Sequence, residues 1–265
     1  MAAKSIIITG ASRGLGRAIA IELIKKFNNN VIAVSRTRKD LTELKQYVEN
    51  DLNRKGKIEI VVGDVTEERV IEEAIGKSIE TWGKLDGIIA NAGILSIGKV
   101  ANSHIDEWKR SYEINFFSVI TLIQKSMSQL RQNKGVFLSV SSGAAYKEYY
   151  GWGAYSTSKA ALNMLTSTVA IEEPDIVAIA VRPGVIDTDM QKLIREKGMD
   201  MGMIKSDYDK FINLYESNNL TPADQPAHVF ASLVSCAGEK IGTIKPLSGK
   251  FLSWDDSEMA PHRKK

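Results

Sequence analysis

Cysteine is almost missing from these 265 residues: Cys236 stands alone, so no intramolecular disulfide can form and a reducing, cytoplasmic setting is expected. A surplus of one charge is missing too. The 35 basic and 32 acidic residues leave +3, too small an excess to mark a nucleic-acid binder. The longest apolar run, Ile176 to Val181, is far shorter than the ~18 residues a spanning helix needs, which argues against a membrane protein. Three scattered histidines, His104, His228 and His262, with a single cysteine make no metal-ligand pattern, so a metal hydrolase is disfavoured and no metal is expected. No Pro/Gly/Ser-rich linker, repeat or low-complexity stretch divides the chain, and a single domain over 1–265 is expected. Met1-Ala2-Ala3-Lys4 leads directly into Ser5–Thr9, which reads as a strand and not as a removable signal.

What is present is ordinary globular composition, 43% hydrophobic and 25% charged, organised by alternation. Short β-branched runs at Ser5–Thr9, Val31–Ser35, Ile58–Val62, Gly87–Ala90, Val136–Val140 and Ile176–Val181 read as strands. Helical patterns lie between them, around Leu15–Phe27, Asp40–Asn53, Glu67–Trp82, Asp106–Arg131 and Ala154–Ile171. Such alternation implies right-handed crossovers and an α/β fold, a Rossmann-type doubly wound parallel sheet flanked by helices on both faces. Several strands are apolar throughout, as strands covered on both sides should be. The 106–131 helix carries Trp108, Tyr112, Phe116, Val119, Ile123, Met127 and Leu130 as one stripe, a core face or half of a subunit interface. From 189 to 222 the pattern loosens around four methionines, at 190, 199, 201 and 203, which suits either a substrate lid or a helical decoration. The basic tail from Pro261 to Lys265 reads as solvated surface.

Thr9-Gly10-Ala11-Ser12-Arg13-Gly14-Leu15-Gly16 joins the first strand to the first helix. Glycines there permit a tight turn and let backbone N–H groups approach a pyrophosphate at the positive end of the helix. The spacing is Gly-x-x-x-Gly-x-Gly, not the usual dinucleotide fingerprint, so the position of the loop carries the argument and an unoccupied turn stays open. The second strand ends in Ser35-Arg36-Thr37-Arg38, with no acid before Asp40 to take the 2′-hydroxyl of NAD. Arg13 and Arg36 suit a 2′-phosphate, so NADP(H) is favoured over NAD(H) if a dinucleotide binds.

Tyr155 and Lys159, at i and i+4, share a helix face. An ammonium beside a phenol favours phenolate, and a tyrosine so tuned can protonate a carbonyl oxygen or take a proton from an alcohol. Ser142, just after the fifth strand, can bond that same oxygen. Together with Asp64 in Gly63-Asp64-Val65, Asn91-Ala92-Gly93, Asn115 and Pro183-Gly184-Val185-Ile186-Asp187-Thr188, these motifs resemble the short-chain dehydrogenase/reductase family, single-domain branch, from about Ser5 to Thr188. The resemblance implies that Ser142, Tyr155, Lys159 and Asn115 are catalytic, Asn115 interrupting its helix to hold a water in a proton relay. It implies that Gly10, Ser12, Arg13, Gly14, Leu15, Gly16 and Arg36 hold the pyrophosphate and adenosine end, with Asp64 and Val65 on the adenine. Asn91, Ala92 and Gly93 would border the ribose, and Lys159 would hold the nicotinamide ribose. Pro183, Gly184, Ile186 and Thr188 would lie at the nicotinamide, beside Tyr155.

Tyr146, Tyr149, Tyr150 and Trp152 crowd the loop between Ser142 and Tyr155. With Met190, the side chains of Ser142, Tyr149, Trp152 and Tyr155 are the candidate substrate contacts, suited to a bulky aromatic ketone. No basic cluster in the loop or the methionine-rich segment suggests an anionic substrate, Lys147 and Lys205 apart. The phrases Ile89–Ile94 and Val181–Thr188 look like the sepiapterin-reductase and benzil-reductase-like subgroup with its fungal members, which implies reduction of vicinal diketones. Alternatives are an alcohol dehydrogenase of another substrate class and a non-catalytic NADP(H) sensor. A serine hydrolase is disfavoured because Ser142 lies outside a nucleophile elbow. The family commonly pairs the helix with the apolar stripe and the Tyr155 helix across a two-fold axis, so a homodimer is expected. The stretch Leu247–Trp254, followed by Asp255-Asp256, departs from the common family ending, which weakens the case for a tetramer built on a C-terminal strand.

Overall fold

A computed structural model describes residues 2–264. Seven parallel strands form one sheet in the order β3-β2-β1-β4-β5-β6-β7. They are β1 (Ser5–Thr9), β2 (Asn30–Ser35), β3 (Ile58–Val62), β4 (Gly87–Ala90), β5 (Val136–Val140), β6 (Val177–Arg182) and β7 (Phe251–Ser253). The six expected strands are present within a residue at each end. The seventh is three residues long with no run of its own; it exists because Phe251–Ser253 pair with Ala180–Arg182 at the sheet edge.

Both faces of the sheet are covered, and successive residues along a strand serve opposite sides. Ile6 and Ile8 of β1 join a core with helices α1 (Gly14–Phe27), α2 (Arg38–Gln46) and α9 (Asp224–Val234), whereas Ile7 faces α3 (Glu68–Trp82), α5 (Ser118–Asn133) and α6 (Gly153–Glu172). The same alternation recurs in β2, where Val31 and Ala33 go one way and Ile32 and Val34 the other.

The helix read over 106–131 is interrupted around Asn115, as the resemblance implies. It is α4 (Ile105–Tyr112), a wide π turn at Glu113–Phe117, then α5. At the wide turn Asn115 is fully buried; its Oδ1 accepts from Ile94 N–H (2.9 Å) and its Nδ2 donates to Ile94 C=O (3.0 Å). Those bonds satisfy backbone groups of the segment after β4 that have no ladder partner. Along the stripe, Val119, Ile123, Met127 and Leu130 are buried in the core, so only the half-buried Trp108, Tyr112 and Phe116 remain on the outside.

The 189–222 segment folds into α7 (Asp189–Lys197) and α8 (Lys205–Glu216). Met190, Met201 and Met203 pack there against the aromatic loop in a third cluster, while Met199 is exposed. Of the tail, residues 261–264 are not free in solvent, and Lys265 lies outside the described residues. His262 bonds Ser232 (2.8 Å), and Lys264 reaches Asp224 (2.7 Å) and Glu22 (3.3 Å), because the buried Glu22 carboxylate needs a cation. Among the described residues, no helix is long and apolar enough to cross a membrane, and no group of three or more His, Cys, Asp and Glu could hold a metal ion.

Candidate functional site

The crevice lies where the chain reverses direction across the sheet, at the carboxyl ends of β1 and β4. Asn91 braces it: its Nδ2 donates to Thr9 C=O (2.9 Å) and Gly10 C=O (3.1 Å), and its own N–H donates to Thr9 Oγ1 (3.1 Å). The glycine loop rests against this brace. Gly10 has φ +67, and a Cβ there would sit 2.9 Å from Asn91 Nδ2; a Cβ on Gly16 would sit 2.4 Å from Gly10 C=O. Gly16 therefore sets the packing beneath the loop and does not line the cavity, unlike Gly10, Ser12, Arg13, Gly14 and Leu15.

A cavity of about 710 Å³ runs from this loop to the far end of the sheet. At one end the N-terminus of α1 has no side-chain cap and no acid in its first turn, so its free N–H groups and positive dipole end suit a diphosphate. Ser12, Arg13, Arg36, Asp64 and Val65 line that end, Asn91, Ala92 and Gly93 the middle, and Pro183, Gly184, Ile186 and Thr188 the opposite side. A dinucleotide fits this donor set and this elongated shape.

The cations here are not idle. Arg13 bonds Asp189 of α7 at 2.8 Å, and Arg36 lies 3.9 Å from Asp64. Arg110, which the sequence reading missed, also reaches Asp64 (3.0 Å) from α4. Burial raises the Asp64 carboxyl, but bonds from Thr66 and Arg110 outweigh it and leave the group below its ordinary value. No sequence spacing relates 64 to 110; only the helix packing brings them together.

At the reacting end, Ser142, Tyr155 and Lys159 converge on the cavity wall. Ser142 caps a short turn, accepting from Ala144 N–H at 3.1 Å. Tyr155 and Lys159 are one helical turn apart on α6, both nearly inaccessible to water. Lys159 Nζ donates to Val140 C=O (2.8 Å) and lies 6.0 Å from the Tyr155 ring centre. The expected lowering of the tyrosine is not what burial alone produces. Desolvation pushes the Tyr155 phenol up, the Ser142 hydroxyl pulling partly against it, and pushes the Lys159 ammonium down to about 8. With the ammonium turned to a carbonyl, its charge does not offset the dehydration of the phenolate. Asn115 stands behind Lys159 and outside the cavity, its side-chain groups already engaged with Ile94, Ser111 and Ser158.

An aromatic stack closes the substrate side. Trp152 packs on Tyr149 (4.8 Å, stacked) and on Phe211 of α8 (5.6 Å, interplanar 8°), which also meet each other at 5.9 Å, and it meets Tyr155 edge-on at 5.7 Å. Met190 lines the same space. Phe211, Leu214, Arg182 and Trp254 also face the cavity and were not singled out from the sequence. Phe211, Leu214 and Trp254 come from elements whose approach depends on how α8 and the C-terminal segment fold back, whereas Arg182 ends β6.

The family profile described as short chain dehydrogenase matches residues 4–198. The chain is 36% identical over 268 residues to a benzil reductase of Saccharomyces cerevisiae that forms (S)-benzoin, covering 97% of this chain and 98% of the relative. It is 40% identical over 255 residues to an uncharacterized oxidoreductase of Schizosaccharomyces pombe, covering 96% and 97%. The crystal structure of a short chain dehydrogenase/reductase from Saccharomyces cerevisiae matches with a TM-score of 0.91 at 35% identity, over 98% of this chain and 100% of that one.

Proposed function

The chain belongs to the short-chain dehydrogenase/reductase family, and on that premise we propose that it is an NADPH-dependent carbonyl reductase of bulky aromatic ketones, vicinal diketones of the benzil kind among them. The observation that carries this reading is the meeting of Ser142, Tyr155 and Lys159 at one end of a cavity whose other end is an uncapped helix N-terminus. When bound, the cofactor supplies the hydride. The protein's part is to orient and to move a proton. Tyr155, kept protonated by its burial, donates to the carbonyl oxygen, and Ser142 bonds that oxygen as charge develops. Lys159 keeps two N–H donors beyond the bond to Val140, which suits it to hold ribose hydroxyls, and its positive charge steadies the phenolate that Tyr155 becomes until a proton returns through them. Asn115 acts from behind Lys159, holding the water of the relay.

Preference for NADPH rests on Arg13 in the glycine loop and on Arg36 just after β2, where NAD-binding relatives of this architecture place an acid. Replacing Arg36 with Ala is expected to reduce the NADPH-over-NADH ratio about tenfold, read from KM for each cofactor. Tyr149, Trp152 and Phe211 make a flat apolar wall for an aryl group. The diketone class is supported further by the benzil reductase of Saccharomyces cerevisiae.

The test is oxidation of NADPH and NADH against benzil, a phenyl-substituted diketone, an aliphatic ketone and an aldehyde. Turnover of the diketones with NADPH, with kcat falling by about a hundredfold or more in Tyr155→Phe while cofactor still binds, is the expected result. NADPH binding without turnover of any carbonyl would replace this reading with the sensor. The protein works as a homodimer in this proposal, with the exposed Phe117 and Met164 at the contact between two copies; sedimentation reads that directly.

A further inference from the structure

Arg182 is the last residue of β6, and its guanidinium faces the substrate end of the cavity. Nη1 lies 3.8 Å from where a Cβ on Gly143 would stand, and Gly143 directly follows Ser142. The cation therefore lies close to the backbone that follows Ser142, and both residues line the same cavity. Its side-chain partner is neutral: Nη1 donates to the Tyr146 hydroxyl, and the guanidinium lies 5.0 Å from the centre of that ring. Among the described residues no carboxylate forms an ion pair with it, in contrast to Arg13 with Asp189, Arg36 and Arg110 with Asp64, and Arg195 with Asp187. The acids lining the cavity are already engaged, Asp64 by Thr66 and Arg110, Asp189 by Arg13, and Asp255 by the Ser253 hydroxyl. Lys147 adds a second cation to this wall, without an ion pair among the described residues.

The pocket thus combines an aromatic wall of Tyr149, Trp152 and Phe211 with two cations at its edge, Lys147 over the Tyr149 ring and Arg182 over Tyr146. A neutral aromatic ligand would cover the guanidinium without giving it an acceptor, and that desolvation is unfavourable. A carboxylate matches the planar fork of N–H donors and turns the same burial into a charge-assisted contact. We infer that the preferred substrate is an aromatic keto acid, its aryl ring on the Trp152 wall, its ketone at Ser142 and Tyr155, and its carboxylate on Arg182. The inference rests on the reductase reading proposed above and narrows its substrate class. In the reaction the ketone carbon gains hydride from the reduced nicotinamide, which is thereby oxidised, and the ketone oxygen gains the proton of Tyr155. The product is the hydroxy acid, with the carboxylate carried through unchanged.

The experiment compares phenylglyoxylate and the longer benzoylpropionate, each with its methyl ester, using NADPH and the wild-type protein, Arg182→Met and Arg182→Lys. For at least one of the two spacings, kcat/KM for the acid should exceed that for the ester roughly 10- to 100-fold in the wild type, mostly through KM. That ratio should collapse towards one in Arg182→Met and partly return in Arg182→Lys. Esters equal to or better than acids at both spacings in the wild type would overturn the inference, and this comparison needs no variant to fold. So would a ratio that Arg182→Met leaves intact. If esters and benzil are reduced while acids are not, the reductase reading survives and only this inference fails. If no carbonyl is turned over, quenching of the cavity-lining Trp152 and Trp254 by acid and ester still decides it. Tighter binding of the acid, lost in Arg182→Met, supports the inference, and equal binding removes it.

Discussion

Lys159 shows most directly how stability is traded for chemistry at a single residue. Its ammonium is buried with one carbonyl as partner, and burial lowers its pKa from 10.5 to about 8. The unfolded chain keeps the proton up to the ordinary lysine range, while the folded chain releases it near 8. Between those values the unfolded state binds more protons, so stability should rise with pH across that window, and below about pH 8 the full cost of the charge is present. Lys159→Met, an apolar side chain of similar length, is expected to raise the stability of the protein without added cofactor by about 3 kcal/mol at pH 7. It should also flatten the rise above pH 8 and abolish turnover. Urea unfolding at several pH values checks this, and a variant less stable than the wild type at pH 7 would show that Lys159 is a structural asset. The pairing of Tyr155 with Lys159 was readable from their spacing. The direction in which each group's protonation moves was not, because burial is a property of the packed site.

At the scale of elements, the glycine loop and α7 approach each other across the mouth of the cavity, and their one ion pair there, Arg13 with Asp189, is largely exposed. Water screens such a pair, so it adds little to stability but occupies the arginine assigned to the 2′-phosphate. Asp189→Asn should therefore change unfolding free energy by less than about 0.5 kcal/mol while tightening NADPH binding a few-fold and leaving NADH binding unchanged. Calorimetric titration with both cofactors measures this, and equal gains for NADPH and NADH would remove the assignment of Arg13. The loop, α1 and α6 were visible in the sequence because each carries a local pattern of glycine spacing or apolar period. Phe211, by contrast, lies on a helix in a segment of loosened pattern, and its stacking on Trp152 depends on how that segment folds over the site.

Over the whole molecule, the sheet and its two helical layers form the main cores, and the chain's last turn locks onto one of them. Met259 is fully buried in the α1–α9 core, next to the contacts of His262 and Lys264. Met259→Ala is expected to cost about 2–5 kcal/mol, seen as a lower denaturation midpoint with unchanged slope. A change within about 0.5 kcal/mol would mean that the C-terminal turn is only loosely attached. The same tail brings Trp254 and Asp255 to the cavity, so the pocket is completed by residues at the far end of the sequence from the glycine loop.

The alternation of apolar runs with 3.6-period segments was enough to determine the fold class and six of the seven strands, since each signal is local and strongly periodic. The family motifs likewise picked out positions most of which the fold gathers along one cavity, because close backbone approaches and paired side chains demand particular residue types at short range. Only the tertiary structure decided the seventh strand, Phe251–Ser253, the docking of the tail and the placing of Arg182 beside Gly143. Each of these is a contact between residues far apart in the chain. The energy that selects it comes from burial and from pairing of polar groups, which no local pattern records.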